Sequence, residues 1–423
     1  MFSISEEKKS TKLIVGITCV LFFIICVLSI IIYGNSTLMG SLIKPDNDDV
    51  KFIRSAWILA ETGNYVYHKP PNPTVFMMPG LPFTLAAFVK VFGKFGGITA
   101  LRVFHAAAQT ISLYMVFLIA RKIFNSKVAV AALLINALCI WDYWVANLIL
   151  TESIFKLFVL LLIYFSIHAI EEKRTSYYVI GGIFWGLAAL FRPTIAAFPI
   201  IILVLWIKKK YSFKEIVKYT VLVACIFCMI LSPWWIRNYN VFHRFIPFTL
   251  ATGNPMLQGT YLLYDQSSRK TDGLNYHQFK YPAGTEIKNN EVEIAISKYR
   301  LKNLVPKQPI QFLLWYTFGK AGYMLMAPFI WTEFLGVHYW MAFSWHYLIL
   351  IFGIIGIKQY FSNKERNKMG IVLFGSILFF IGVYLPYFAF PRYFYPAIPF
   401  VIIFAAYSLT NLIDKKKVKK IRT

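Results

Sequence analysis

An all-α polytopic membrane protein of about ten transmembrane helices, or eleven on one alternative count, is predicted by three observations. Of the 423 residues, 58% are hydrophobic and 15% charged, with mean hydropathy +0.58, a composition that requires lipid as the main solvent. Apolar runs long enough to cross a hydrocarbon layer of about 30 Å recur along the whole length, so 1–423 reads as a single membrane domain. Basic residues gather in short clusters between those runs, as expected of loops retained on the cytoplasmic side. That placement accounts for the net charge of +25 and argues against nucleic acid as a partner.

Taken in order, the first apolar run, 13–33, follows Lys8, Lys9 and Lys12 and has no small-residue cleavage site before Gly34, so it is expected to remain as a helix. Further spans are expected near 98–120, 128–146, 150–169, 177–191, 194–207, 219–234, 340–357, 369–387 and 395–412. Six basic segments lie between or beyond them: the N-terminus, 121–127, 171–174, 208–218, 358–368 and 414–423. An even number of crossings between consecutive clusters keeps all six, and both termini, in the cytoplasm of a cell membrane. The run 311–330 breaks this parity. It is read as an interfacial or re-entrant helix carrying Trp315, Tyr316 and Tyr323 at the headgroup level, and counting it as a span gives the eleven-helix alternative. Two long extracytoplasmic loops remain, 34–97 and 235–309. The five cysteines all fall in apolar runs, and Cys225 and Cys228 have no second pair to complete a zinc site, so free thiols are expected.

The ionisable residues that topology leaves unexplained are concentrated in or beside those loops. Asp46, Asp48 and Asp49 precede a helical stripe of Phe52, Ile53, Ala56, Trp57, Leu59 and Ala60, which predicts an amphipathic juxtamembrane helix with carboxylates at its start. One Asp suffices to cap a helix and favour its dipole. Three acidic residues in four positions leave at least one for other chemistry, such as accepting a proton from an attacking hydroxyl, an effect worth about 10²–10⁴ in rate. Arg192, Arg237 and Arg392 each stand at the expected outer end of a helix beside Pro or aromatic residues. Each either snorkels to the surface or marks a site, and together they suit a phosphate, which guanidinium groups bind in bidentate fashion. Glu152 opens a helix, where the dipole alone favours it; its alternative use is to orient an arginine or contact an acceptor. Tyr393 follows Arg392, and His243 stands beside Arg244 as a weaker candidate for phosphate contact. His105 and His168, within apolar helices, are expected to be packed instead of reactive. The acidic cluster lacks a second carboxylate group to complete a metal site, so no cofactor is expected, although a divalent cation stays open.

The segment Asp48-Asp49-Val50-Lys51-Phe52 resembles the acidic pattern after the first helix of integral-membrane glycosyltransferases with the GT-C fold, such as protein O-mannosyltransferases and bacterial lipid A aminoarabinose transferases. The resemblance continues through Met78-Pro79-Gly80-Leu81-Pro82, Thr151-Glu152-Ser153, Leu190-Phe191-Arg192-Pro193-Thr194, Pro233-Trp234-Trp235-Ile236-Arg237-Asn238, Thr252-Gly253-Asn254 and Pro391-Arg392-Tyr393. It implies a GT-C-like bundle, a polyprenyl-phosphate sugar donor, and a glycan, lipid or protein acceptor bearing a hydroxyl, with the reaction on the extracytoplasmic side. By the same resemblance Asp48 is the general base and Asp49 its support or an acceptor contact, while Phe52 stands where many members have Tyr. Two rival readings are a transporter of an anionic or lipid-linked substrate and a lipid-linked polysaccharide polymerase or ligase. The first is disfavoured by the lack of an internal repeat, the second because it has no need of the acidic first loop.

Overall fold

The computed structural model describes residues 3–44 and 46–422, with side chains through Asp414, and the described part is helical without named strands. The first helix, α1 (Lys9–Tyr33), ends at Gly34, and α2 (Asp48–Thr62) follows a loop. Asn47 begins α2 by accepting a bond from the Asp48 amide at 2.8 Å, and Gly63 at φ 75° ends it in a left-handed turn. The expected stripe is the buried one, with Phe52, Ile53, Ala56 and Leu59 against α3 (Gly80–Ile123). Gly93, at φ 75° and ψ 175°, breaks α3 into a short first limb and a long second limb. The first limb is a helix that hydropathy alone did not separate from the loop.

The run expected as one span, 128–146, is two helices, α4 (Ser126–Ala137) and α5 (Ile140–Asn147), bent by 57°. The chain continues through α6 (Glu152–Glu172), α7 (Thr175–Phe191), α8 (Pro199–Lys208) and α9 (Phe213–Phe242), the last beginning with a Ser212–Glu215 capping box. Within the second long loop lie α10 (Gly253–Gly259) and α11 (Glu286–Leu304). The segment expected to be interfacial is helical in pieces: α12 (Pro309–Leu314), a π-helical turn at 315–319 and α13 (Lys320–Leu325). It is followed by α14 (Tyr339–Ser362), α15 (Gly370–Gly382), the short α16 (Pro391–Phe394) and α17 (Ile398–Arg422).

Among the described residues, six helical segments are long and apolar enough to cross a membrane, the bent α4–α5 pair adds a broken one, and α7, α8 and α15 are shorter apolar helices. Glycine permits the tightest crossing, that of α14 on α17, because a Cβ at Gly356 would sit 1.9 Å from the Phe404 carbonyl oxygen. The ends of α2, α6, α7 and α16 converge, and the candidate residues lie there.

Candidate functional site

Asp48 is the first residue of α2, so its carboxylate projects from the open end of that helix. Tyr67, in the loop behind α2, donates its hydroxyl to Asp48 Oδ1 at 2.9 Å. Burial and the neighbouring Asp48 charge push the Tyr67 phenol well above its ordinary range, so it remains a protonated donor. Arg392, carried by α16, donates Nη2 to Asp48 Oδ2 at 3.2 Å. Glu152 is the first residue of α6 and is fully buried. It pairs with the Arg192 guanidinium, which extends from the residue that closes α7. Arg192 Nε also donates to Thr151 Oγ1 at 3.0 Å. Tyr393 stacks on Tyr384 at 4.6 Å between centroids and lies under both guanidinium groups, 5.5 Å from that of Arg192 and 5.3 Å from that of Arg392.

All of these side chains except Tyr67 line one cavity of about 190 Å³, completed by Phe52, Phe76, Met78 and Phe191. Pro193, Thr194, Thr249, Ala251, Tyr384 and Tyr393 also line a larger cleft of about 390 Å³. That cleft has aromatic and hydroxyl-bearing walls and no charged lining residue. A small charged chamber therefore opens into a neutral groove. Its four charges, Asp48, Glu152, Arg192 and Arg392, cancel in pairs, so an entering anion must compete with a carboxylate for each guanidinium.

Five of the residues singled out from sequence meet in this chamber: Asp48, Glu152, Arg192, Arg392 and Tyr393. Four others do not. Asp49 is buried and turned away, accepting the Met39 amide at 2.6 Å and its neighbour Val50's at 2.8 Å. Burial raises its pKa above the ordinary carboxylate value, against the opposing effect of those amides. Asp46 is exposed and accepts the Ser41 amide at 3.1 Å. Arg237 donates to the backbone carbonyls of Thr74 at 2.7 Å and Tyr65 at 3.4 Å, packs near Trp234 and Phe242, and so ties α9 to the first loop. His243 closes α9 in a left-handed conformation on the surface. Among the described residues, no group of three or more His, Cys, Asp and Glu side chains is placed to hold a metal ion.

Sequence reasoning missed Tyr67 and Thr151, which hold the ionic groups, and a buried pair below the chamber, Asp142 and Lys156. Tyr67 gave no signal that distinguishes it from ordinary loop residues, and Thr151 stood within the Thr151-Glu152-Ser153 motif of the resemblance without a role of its own. Asp142 and Lys156 gave a signal, because each is a charge within an apolar run.

A family model for dolichyl-phosphate-mannose-protein mannosyltransferases matches residues 69–236. No curated protein matches the sequence. Among solved structures, the chain is similar to the oligosaccharyltransferase AglB of Archaeoglobus fulgidus in complex with an inhibitory peptide and a dolichol-phosphate, with TM-score 0.56 and 12% identity over 98% of this chain and 52% of that one. The apo form of the Archaeoglobus fulgidus enzyme gives TM-score 0.57 and 15% identity over 99% and 52%. ArnT of Cupriavidus metallidurans bound to undecaprenyl phosphate aligns more loosely, with TM-score 0.44 and 12% identity over 94% and 76%. The chain thus spans about half the length of the archaeal enzyme.

Proposed function

The chain has the GT-C fold of integral-membrane glycosyltransferases, and on that premise we propose that it moves a sugar from a polyprenyl-phosphate donor to a hydroxyl acceptor on the extracytoplasmic side. The observation that carries this reading is the contact of Asp48 with Arg392 in a chamber that also holds the Arg192–Glu152 pair and opens into a neutral groove. In this reading the donor phosphate lies against Arg392 and Arg192, and its prenyl chain leaves through the groove.

As the phosphate takes up Arg392, Asp48 is released from that partner and keeps the Tyr67 hydroxyl, free to receive the acceptor's proton. The acceptor oxygen attacks the anomeric carbon, the bond from that carbon to the phosphate oxygen breaks, and the electron pair leaves on the phosphate. Fixed guanidinium charges stabilise this developing negative charge without reorganising. A single displacement of this kind inverts the anomeric centre, and a phosphate leaves without a general acid.

The test follows release of polyprenyl phosphate from a panel of polyprenyl-phosphate sugars by purified protein in lipid, with an acceptor-containing membrane extract supplied. The wild type is expected to release it, and Asp48→Asn to be slower by about 10²–10⁴ with its thermal midpoint lowered only modestly, because Asp48 is partly exposed and Asn can still accept one of the two hydrogen bonds. Donors that stay intact with the wild type would overturn the transferase reading in favour of transport.

A further inference from the structure

Beneath the chamber lies a second set of polar groups that touches nothing in the reaction described above. Lys156 Nζ donates to Asp142 Oδ1 at 2.9 Å, and both side chains are almost fully buried, at 1% and 4% exposure. The same Oδ1 accepts the Tyr395 hydroxyl at 2.6 Å, and Asp142 Oδ2 accepts the Asn136 amide at 2.7 Å across the bend between α4 and α5. Gln109 Nε2 donates to the Tyr395 hydroxyl at 2.8 Å and to Ser153 at 3.0 Å. Lys156 Nζ stands 4.7 Å from the centroid of the Tyr395 ring.

The network is attached to both halves of the chamber. Lys156 is one turn along α6 from Glu152, on the same face, and Tyr395 is one turn along the chain from Arg392. The hydroxyl of Tyr395 has a single proton and two acceptors in reach, Asp142 Oδ1 at 2.6 Å and Gln109 Oε1 at 3.2 Å; giving it to the nearer, charged Asp142 fixes how the 391–397 turn is rotated, hence where Arg392 and Tyr393 point. Stability alone is a poor reason for such a pair. A buried ion pair is often no more stabilising than apolar residues of the same volume, and charges inside a membrane bundle are costly to retain. We infer that Asp142 and Lys156, through Tyr395, are positioning residues that set the Arg392 turn for the donor phosphate. This rests on the transferase reading above.

The test separates position from stability by replacing the pair with apolar residues, Asp142→Leu together with Lys156→Met, and by a second variant, Tyr395→Phe, which removes one hydroxyl. Each purified protein in lipid is assayed for its thermal midpoint, its affinity for a polyprenyl monophosphate, and its KM for donor and for acceptor. The double variant is expected to unfold at or above the wild-type midpoint yet bind polyprenyl monophosphate about tenfold more weakly. Its donor KM should rise while its acceptor KM stays put, with Tyr395→Phe moving the same way. If the double variant does not fold, Tyr395→Phe alone decides. Wild-type affinity in a variant that folds would overturn the inference and leave the transferase reading standing. A wild type that does not bind the probe would overturn both.

Discussion

Replacing Glu152 by Gln has two consequences of opposite sign, and the geometry predicts both. The Glu152 carboxylate is 1% exposed and the Arg192 side chain 12% exposed. The amide of Gln keeps an oxygen for the Arg192 Nη2 bond but removes the charge. Deleting one partner of a buried pair costs about 3–5 kcal/mol. The surviving acceptor, the Thr151 bond and the opening of Arg192 onto the chamber reduce this to about 2 kcal/mol, so the thermal midpoint falls. Anion binding moves the other way. Asp48, Glu152, Arg192 and Arg392 sum to zero, and Glu152→Gln leaves the chamber at +1. A unit charge about 7 Å from a phosphate interacts by about 2.4 kcal/mol at an effective dielectric of about 20, and water in the chamber screens part of this. The expected result is polyprenyl monophosphate binding about tenfold tighter than wild type in a less stable protein. The check is a titration of the purified variant in lipid vesicles, alongside its thermal unfolding. Weaker binding by a folded Glu152→Gln protein would refute the reasoning, because it would mean that the pose Glu152 gives Arg192 outweighs the charge it cancels.

Three other predictions follow from the same contacts. Arg237→Lys cannot reach both Thr74 and Tyr65 carbonyls as a planar fork does, so it should lower the thermal midpoint while leaving the affinity for polyprenyl monophosphate unchanged. Tyr67→Phe removes the hydroxyl that orients Asp48 and should reduce kcat by about tenfold with little change in donor KM, read in the donor-release assay. Asp49 has a folded-state pKa raised by burial above the ordinary 3.8, so the folded state binds the proton more tightly than the unfolded one. Stability from this group is therefore greatest at low pH and declines as pH rises from about 3.8 through the raised value; the fall in thermal midpoint over that window should be smaller in Asp49→Asn than in the wild type.

The helices were legible because a membrane imposes a hydropathy pattern that needs no tertiary information, and the expected stripe of α2 is the face that is buried. What hydropathy could not show was where backbone geometry interrupts an apolar run. The Gly93 break in α3 and the bend between α4 and α5 both occur within segments apolar enough to pass as continuous.

The charged residues divide along a similar line. Adjacent positions on a helix point about 100° apart, so a difference between Asp48 and Asp49 in their approach to the chamber was readable from sequence, although the resemblance gave both a part in the site. Which of the two faces it was not readable, because the answer depends on the Met39 amide closing over Asp49 from a loop without pattern. The three arginines looked equivalent for the same reason: each ends a helix beside aromatic or proline residues. A guanidinium is equally satisfied by carboxylates or by backbone carbonyls, and only the fold assigns Arg392 and Arg192 to the former and Arg237 to the latter. Asp142 and Lys156 present the reverse case. Each was visible as an intramembrane charge, but they sit on separate helices, α5 and α6, and hydropathy does not say how two neighbouring helices are rotated about each other, so neither could be matched to the other. In a membrane bundle an unexplained charge in an apolar run is therefore evidence that a partner exists, while the mutual rotation of the helices that brings the partner within reach is what the sequence conceals.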